Sequence, residues 1–153
     1  MIHRIITTFF GLGYAPIAPG TFGALGAIIV YCLLLLIGLD DQYLNATLFI
    51  LIILFLVVGI YSTNKVIPYW GKDPGKVVVD ETVGQWIAML LIPPELLYIV
   101  ISLILFRFFD ITKILFIKKA ESLPGGMGVM MDDVLAGLYS FIILQIILKF
   151  ALL

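Results

Sequence analysis

The sequence predicts an all-α protein, a multi-spanning membrane helical bundle. It has about four membrane-embedded helical segments, a short N-terminal helix and a Pro-Pro hairpin in the middle. Two observations lead there. Of 153 residues, 63% are hydrophobic and only 12% are charged, and the mean hydropathy of +1.20 is far above that of a water-soluble domain. The apolar residues also come in runs close to the ~20 residues that a helix needs to cross a bilayer. The length suits a single domain covering 1–153.

In chain order, "MIHRIITTFF" has too short an apolar part to span a membrane and lacks the cleavage site of a secretory leader, so it reads as a short helix. The turn-rich loop 11–20, "GLGYAPIAPG", opens a helix near Thr21. The first apolar run covers 21–39 and the second 44–62, with "DDQY" as the polar turn between them. A third apolar region runs from Val83 to Phe109, broken by Pro93-Pro94-Glu95, and the last runs from Val134 to Leu153. Residues 63–82 and 110–133 hold most of the polar remainder.

The third region could be one kinked span or a hairpin. A kinked span would bury Glu95 at mid-membrane, at roughly 2.5–3.5 kcal/mol. A hairpin turning at Pro93-Pro94 puts loops 11–20, 63–82 and 110–133 on one side. All basic residues except Lys149 then share that side, and Asp40, Asp41 and Glu95 lie opposite. The positive-inside rule makes the basic side cytoplasmic. The hairpin is therefore expected, with its tip on the outer side.

The basic side also gathers the acids Asp73, Asp80, Glu81, Asp110, Glu121, Asp132 and Asp133. Two adjacent pairs, Asp80-Glu81 and Asp132-Asp133, each stand just before an apolar helix. Acids there can cap a helix and complement its dipole. Gathered on one face, they can instead hold a hard cation. The single cysteine, Cys32, lies in an apolar run and the single histidine is His3, so an oxygen-liganded ion such as Mg²⁺ fits and Zn²⁺ does not. Lys113, three residues after Asp110, shares its face if the helix continues. It is either half of an interfacial ion pair or a phosphate contact. Arg107 and Lys65 snorkel at span ends or reach phosphate. Gly20 and Thr21 open a helix whose backbone amides can meet an anion, and Thr21 can equally cap it. The "LPGGMG" stretch is a loop over substrate or a plain connection.

Absences narrow the chemistry. There is no paired histidine for a phosphohistidine mechanism, no Cys-Arg phosphatase loop, no D-x-D-x-[TV] and no G-x-x-x-x-G-K-[ST]. Metal-assisted attack of water remains. A net charge of −1 offers no electrostatic footprint for nucleic acid.

Four stretches, "GYAPIAPGTFGALGA", "DPGKVVVDETVGQWIA", "FRFFDITKILFIKKAE" and "GGMGVMMDDVLAGLYS", follow one another through most of the chain. The patterns D-E-x-x-G-x-W-I and G-G-x-G-[VI]-M-x-D-D-x-x-A-G among them are specific. The chain resembles the phosphatidylglycerophosphatase A family. The resemblance implies a bacterial, multi-pass inner (cell) membrane enzyme of phospholipid biosynthesis with its active site facing the cytoplasm. Its substrate would be phosphatidylglycerophosphate among the membrane lipids, and its cofactor Mg²⁺. It puts the family's acids on Asp73, Asp80, Glu81, Asp110, Asp132 and Asp133, its lysine on Lys113 and its proline-glycine-threonine turn on Pro19, Gly20 and Thr21. Asp80, Glu81, Asp132 and Asp133 are the expected catalytic residues, and Gly20, Thr21, Lys65, Arg107 and Lys113 the expected substrate contacts. One departure is "KILFI", where the family often reads K-P-x-P-I. A homodimer is compatible with the sequence. Competing readings are another lipid-phosphate hydrolase or transferase, although the phosphotransferase signature D-G-x-x-A-R is absent, and a small membrane transport protein.

Overall fold

The computed structural model describes residues 1–72 and 74–151. Seven α-helices follow in order: α1 (Ile2–Thr7), α2 (Pro19–Leu36), α3 (Asp41–Trp70), α4 (Val79–Ala88), α5 (Leu96–Thr112), α6 (Ile117–Glu121) and α7 (Gly126–Ala151), with a 3₁₀ turn at Leu12–Tyr14. No strand occurs among the described residues. Among the described residues, three helices are long and apolar enough to cross a membrane: Pro19–Leu36, Asp41–Trp70 and Gly126–Phe150.

The helices outrun the apolar runs that predict them. The second run, expected to end at 62, continues to Trp70. Ser62, Thr63 and Val66 are buried on its inner face, and His3 Nδ1 of α1 meets Ser62 Oγ at 3.2 Å. Packing against α1 thus holds the polar continuation in helix. At the other end of the chain, the helix expected from Val134 begins at Gly126. Asn64 Oδ1 accepts from Gly126 N at 2.8 Å, which satisfies one of the amides that a helix start leaves without a partner. The "LPGGMG" stretch is therefore part connection and part helix.

The middle region is a hairpin. Leu91 N donates to Asn45 Oδ1 at 2.7 Å, and Gln145 Nε2 donates to Leu90 O at 3.2 Å. The turn therefore lies beside the first turns of α3 and the last third of α7. Thirteen residues of α7 separate Gln145 from Asp132, about 20 Å along a helix. The prolines and Glu95 thus sit at the opposite end of the bundle from the acid pairs.

α4 is the centre of the molecule. Every residue in it except Glu81 is buried. It has ten residues, too few to span, but protein surrounds it rather than lipid. Trp86 Nε1 donates to the Ala27 carbonyl of α2 at 3.0 Å, and Gln85 Nε2 donates to Ser102 Oγ of α5 at 3.0 Å. The closest approach is to α7. A Cβ on Gly137 would collide with the Gly84 carbonyl, and one on Gly84 would lie 2.7 Å from the Asp133 carbonyl. Small residues let two membrane helices approach to backbone contact. That contact sits next to both acid pairs.

The hairpin is open to a direct check. In a Cys32→Ala background, Glu95→Cys and Lys118→Cys should react with an impermeant maleimide from opposite faces of sealed vesicles, since both positions are exposed at opposite ends of the bundle. Labelling of both from the same face would contradict the hairpin.

Candidate active site

Asp80 and Glu81 are the second and third residues of α4, so they complement its N-terminal dipole as the sequence allows. Asp132 and Asp133 are different. They are the seventh and eighth residues of α7, too far along to cap it. The capping alternative fails for this pair because the helix starts before them. Three of the four are almost wholly buried: Asp80 is 7% exposed, Asp132 6% and Asp133 3%.

One carboxylate oxygen from each of Asp80, Glu81 and Asp133 lies within 4.8 Å of the others. Buried charges of one sign at that spacing repel strongly unless a counter-charge joins them. Glu81 Oε2 is buried and has no hydrogen-bond partner. The donor set is all oxygen, with no sulfur or imidazole among the described residues that come together. These features fit a hard divalent cation.

Cations frame the cluster. Arg107 Nη1 lies 2.6 Å from Asp110 Oδ2, out of line for a hydrogen bond, and Arg107 Nε is buried without a partner. Lys113 Nζ donates to Asp132 Oδ2 at 2.9 Å and lies 3.1 Å from Glu121 Oε1. Burial opposes the Lys113 charge, but hydrogen bonds and attraction from Asp132 and Glu121 outweigh it and hold the ammonium above its ordinary range. Lys113 caps α5 in a left-handed conformation, φ 45°, which turns it away from the predicted i,i+3 partner Asp110 and across to α7. Glu121, grouped with the basic-side acids in sequence, proves to anchor Lys113 from α6. Its only sequence signal was the "KKAE" that follows the lysine.

A cavity of about 300 Å³ collects these groups: Asp80, Glu81, Asp110, Asp132 and Asp133 with Arg107 and Lys113, closed on one side by Pro74 and Gly75. A second cavity of about 310 Å³ shares Asp132 and Val129 with it and adds Lys72, Lys118 and Glu121.

The start of α2 meets the cavity wall. The helix begins at Pro19 with Ala18 at the N-cap, so Thr21 lies in the first turn and does not cap it. A Cβ on Gly20 would collide with Glu81 Oε1 and lie 3.0 Å from Arg107 Nη1. Glycine at this position leaves room for the Glu81 carboxylate. Thr21 is half-buried and is not among the residues lining this cavity. Lys65 is elsewhere: its ammonium lies over the Tyr61 ring, 5.3 Å from the centroid, and it lines a separate groove. Asp73 falls outside the described residues.

The chain is similar to known proteins over most of its length. The sequence model of the family Phosphatidylglycerophosphatase A matches residues 5–148. A Bacteroides thetaiotaomicron protein, provisionally named a phosphatidylinositol-3-phosphatase, is 47% identical over 145 residues, covering 93% of this chain and 91% of that protein. Phosphatidylglycerophosphatase A of Haemophilus influenzae is 38% identical, covering 93% of this chain and 85% of its own. Phosphatidylglycerophosphatase A of Escherichia coli is 31% identical, covering 94% and 82%. No solved structure matches the chain.

Two substitutions test the site. Asp133→Asn is nearly isosteric and removes no cap, so the folded protein should persist while phosphatase turnover falls by orders of magnitude. Near-normal turnover would remove Asp133 from the site. Gly20→Ala should cut turnover at least about tenfold with a change in Tm of only a few degrees, because the added methyl displaces Glu81 at the cavity rim rather than the core. Unchanged turnover would show that Glu81 moves aside without cost.

Proposed function

We propose that this chain, which belongs to the phosphatidylglycerophosphatase A family, hydrolyses the terminal phosphate monoester of phosphatidylglycerophosphate. The products are phosphatidylglycerol and inorganic phosphate, and the cofactor is Mg²⁺. The observation that carries this reading is the composition of one cavity, where buried carboxylates suited to a cation face two basic side chains suited to a phosphate.

Asp80, Glu81 and Asp133 are the residues that would hold the ion, with Asp110 and Asp132 beside them and Asp73 as a further candidate. When bound, Mg²⁺ neutralises phosphoryl charge and lowers the pKa of a bound water. Arg107 has an unpartnered Nε, and Lys113 stays charged; both suit the phosphate oxygens. In the first turn of α2 the Gly20 amide adds a donor at the same wall, whereas the Thr21 amide already donates to the Ala18 carbonyl at 2.9 Å. The water oxygen bonds to phosphorus, the ester P–O bond breaks, and the departing alkoxide takes up the proton that water gave up, returned by the carboxylate that accepted it. The proton lost by water passes to one of the cavity carboxylates, Asp80, Glu81, Asp132 or Asp133. No side chain needs to form a bond to phosphorus.

The acid end faces the cytoplasm of a bacterial cell membrane in this reading, because the lysines and arginines gather there. A second substrate has support from one observation. The relative that is 47% identical bears the name of a phosphatase acting on a phosphatidylinositol 3-phosphate, and that lipid too offers a phosphate monoester above a phosphodiester.

The decisive assay is phosphate release by the purified protein in detergent or nanodiscs, with each lipid, with and without Mg²⁺. Phosphatidylglycerophosphate should be turned over, EDTA should abolish release, and acid quenching should trap no phosphoprotein. Preference for the inositol lipid by tenfold or more in kcat/KM would reassign the substrate. Full activity in EDTA would overturn the metal, and a trapped phosphoprotein would overturn direct attack by water.

A further inference from the structure

A larger cavity than the acid one lies elsewhere in the molecule. A groove of about 810 Å³ lies between α1 and α3 and shares no lining residue with the acid cavity. Its lining includes His3, Arg4 and Lys65, and no acidic side chain among the described residues. Tyr14 and Tyr69 flank it, and Ile5 supplies apolar wall. Ile5 and Tyr69 are largely exposed, at 43% and 78%, so the groove opens outward from the bundle.

Its cations are held by aromatic rings. The Arg4 guanidinium lies over Trp70, 5.7 Å from the centroid, and Lys65 lies over Tyr61. Neither makes an ion pair among the described residues. Contacts with ring faces leave the N–H groups available to an anion. Trp70 ends α3, on the end of the bundle that also holds the acid cavity. Tryptophan and tyrosine prefer the headgroup level of a bilayer.

We propose that this groove is a binding site for an intact anionic phospholipid, distinct from the one being hydrolysed. The headgroup phosphate lies between Arg4 and Lys65, and an acyl chain runs along the apolar wall. Charge complementarity selects an anionic lipid over a zwitterionic one. The apolar wall selects a lipid over free phosphate, and the lack of acids in the lining disfavours a metal-bound ligand. His3 is tied to Ser62 and fixes the floor of the site rather than the phosphate.

Native mass spectrometry of the detergent-purified protein in EDTA tests this, with phosphatidylglycerol, phosphatidylcholine or inorganic phosphate added. One phosphatidylglycerol should be retained in preference to phosphatidylcholine, and phosphate should not displace it. Retention should fall about fivefold for each cation removed in Arg4→Gln and Lys65→Gln. The charge-conserving pair Arg4→Lys and Lys65→Arg should keep it, which separates lost binding from lost folding. Asp133→Asn should also keep it. Equal retention of both lipids, displacement by phosphate, or loss of retention in Asp133→Asn would each overturn the proposal, the last by placing the lipid in the acid cavity. Retention unchanged in the double Gln variant would overturn it as well.

Discussion

The mutual repulsion of buried carboxylates is the constraint on which the rest depends. Asp80, Glu81 and Asp133 are brought within 4.8 Å of each other at the rim of an apolar bundle. No soluble surface relieves them, so the surrounding structure must hold them together. The backbone contact between Gly84 and Gly137 does this from below. It locks α4 to α7 one turn beyond each acid pair, close enough that side-chain flexibility cannot separate them. The ion pairs Arg107–Asp110, within α5, and Lys113–Asp132, from the end of α5 to α7, flank the cluster. Each takes one carboxylate out of the repulsion and leaves the cation facing the cavity. The same arrangement that tolerates the acids thus also lines the cavity with positive charge.

Around the acid cavity, glycine serves two separate purposes. In the crossing of α4 and α7 it allows backbone to touch backbone. At Gly20 it makes room for a functional carboxylate, so the start of α2 can form part of the cavity wall. Both uses follow from the missing Cβ, and neither uses glycine's freedom at positive φ.

Much of this was legible in the sequence. The runs at 21–39 and 44–62 marked two spans, and Pro93-Pro94 with one-sided lysines marked the hairpin. The adjacent acids marked the cavity. What escaped did so for physical reasons. Gly126 and Gly128 have poor helix propensity, so "GGMGVMM" reads as loop. In the fold, Asn64 caps that helix start, and a Cβ on Gly126 would collide near the Ile60 carbonyl of α3. Tertiary packing therefore overrides propensity, and Asp132-Asp133 move from a helix mouth to its second turn. Lys113 was expected beside Asp110 on one helical face, but a left-handed cap redirects it to Asp132 and Glu121. Lys65 followed a predicted span end, yet α3 continues past it and turns it to the opposite flank. No local pattern encodes any of these three outcomes.

The near-complete burial of α4 has a consequence for biogenesis. A ten-residue arm with Asp80 and Gln85 inside it has no stable place in bare lipid, and its surroundings come from segments on both sides of it in the chain. α2 and α3 precede it, but α7, its closest partner, is made last. The nascent chain must therefore carry an unfinished hairpin until the final helix arrives and closes over it. The carboxylate cluster comes together in that same event, because Asp133 travels on α7. Partly inserted chains thus hold no assembled acid cavity, and the cavity is complete only when the last helix docks.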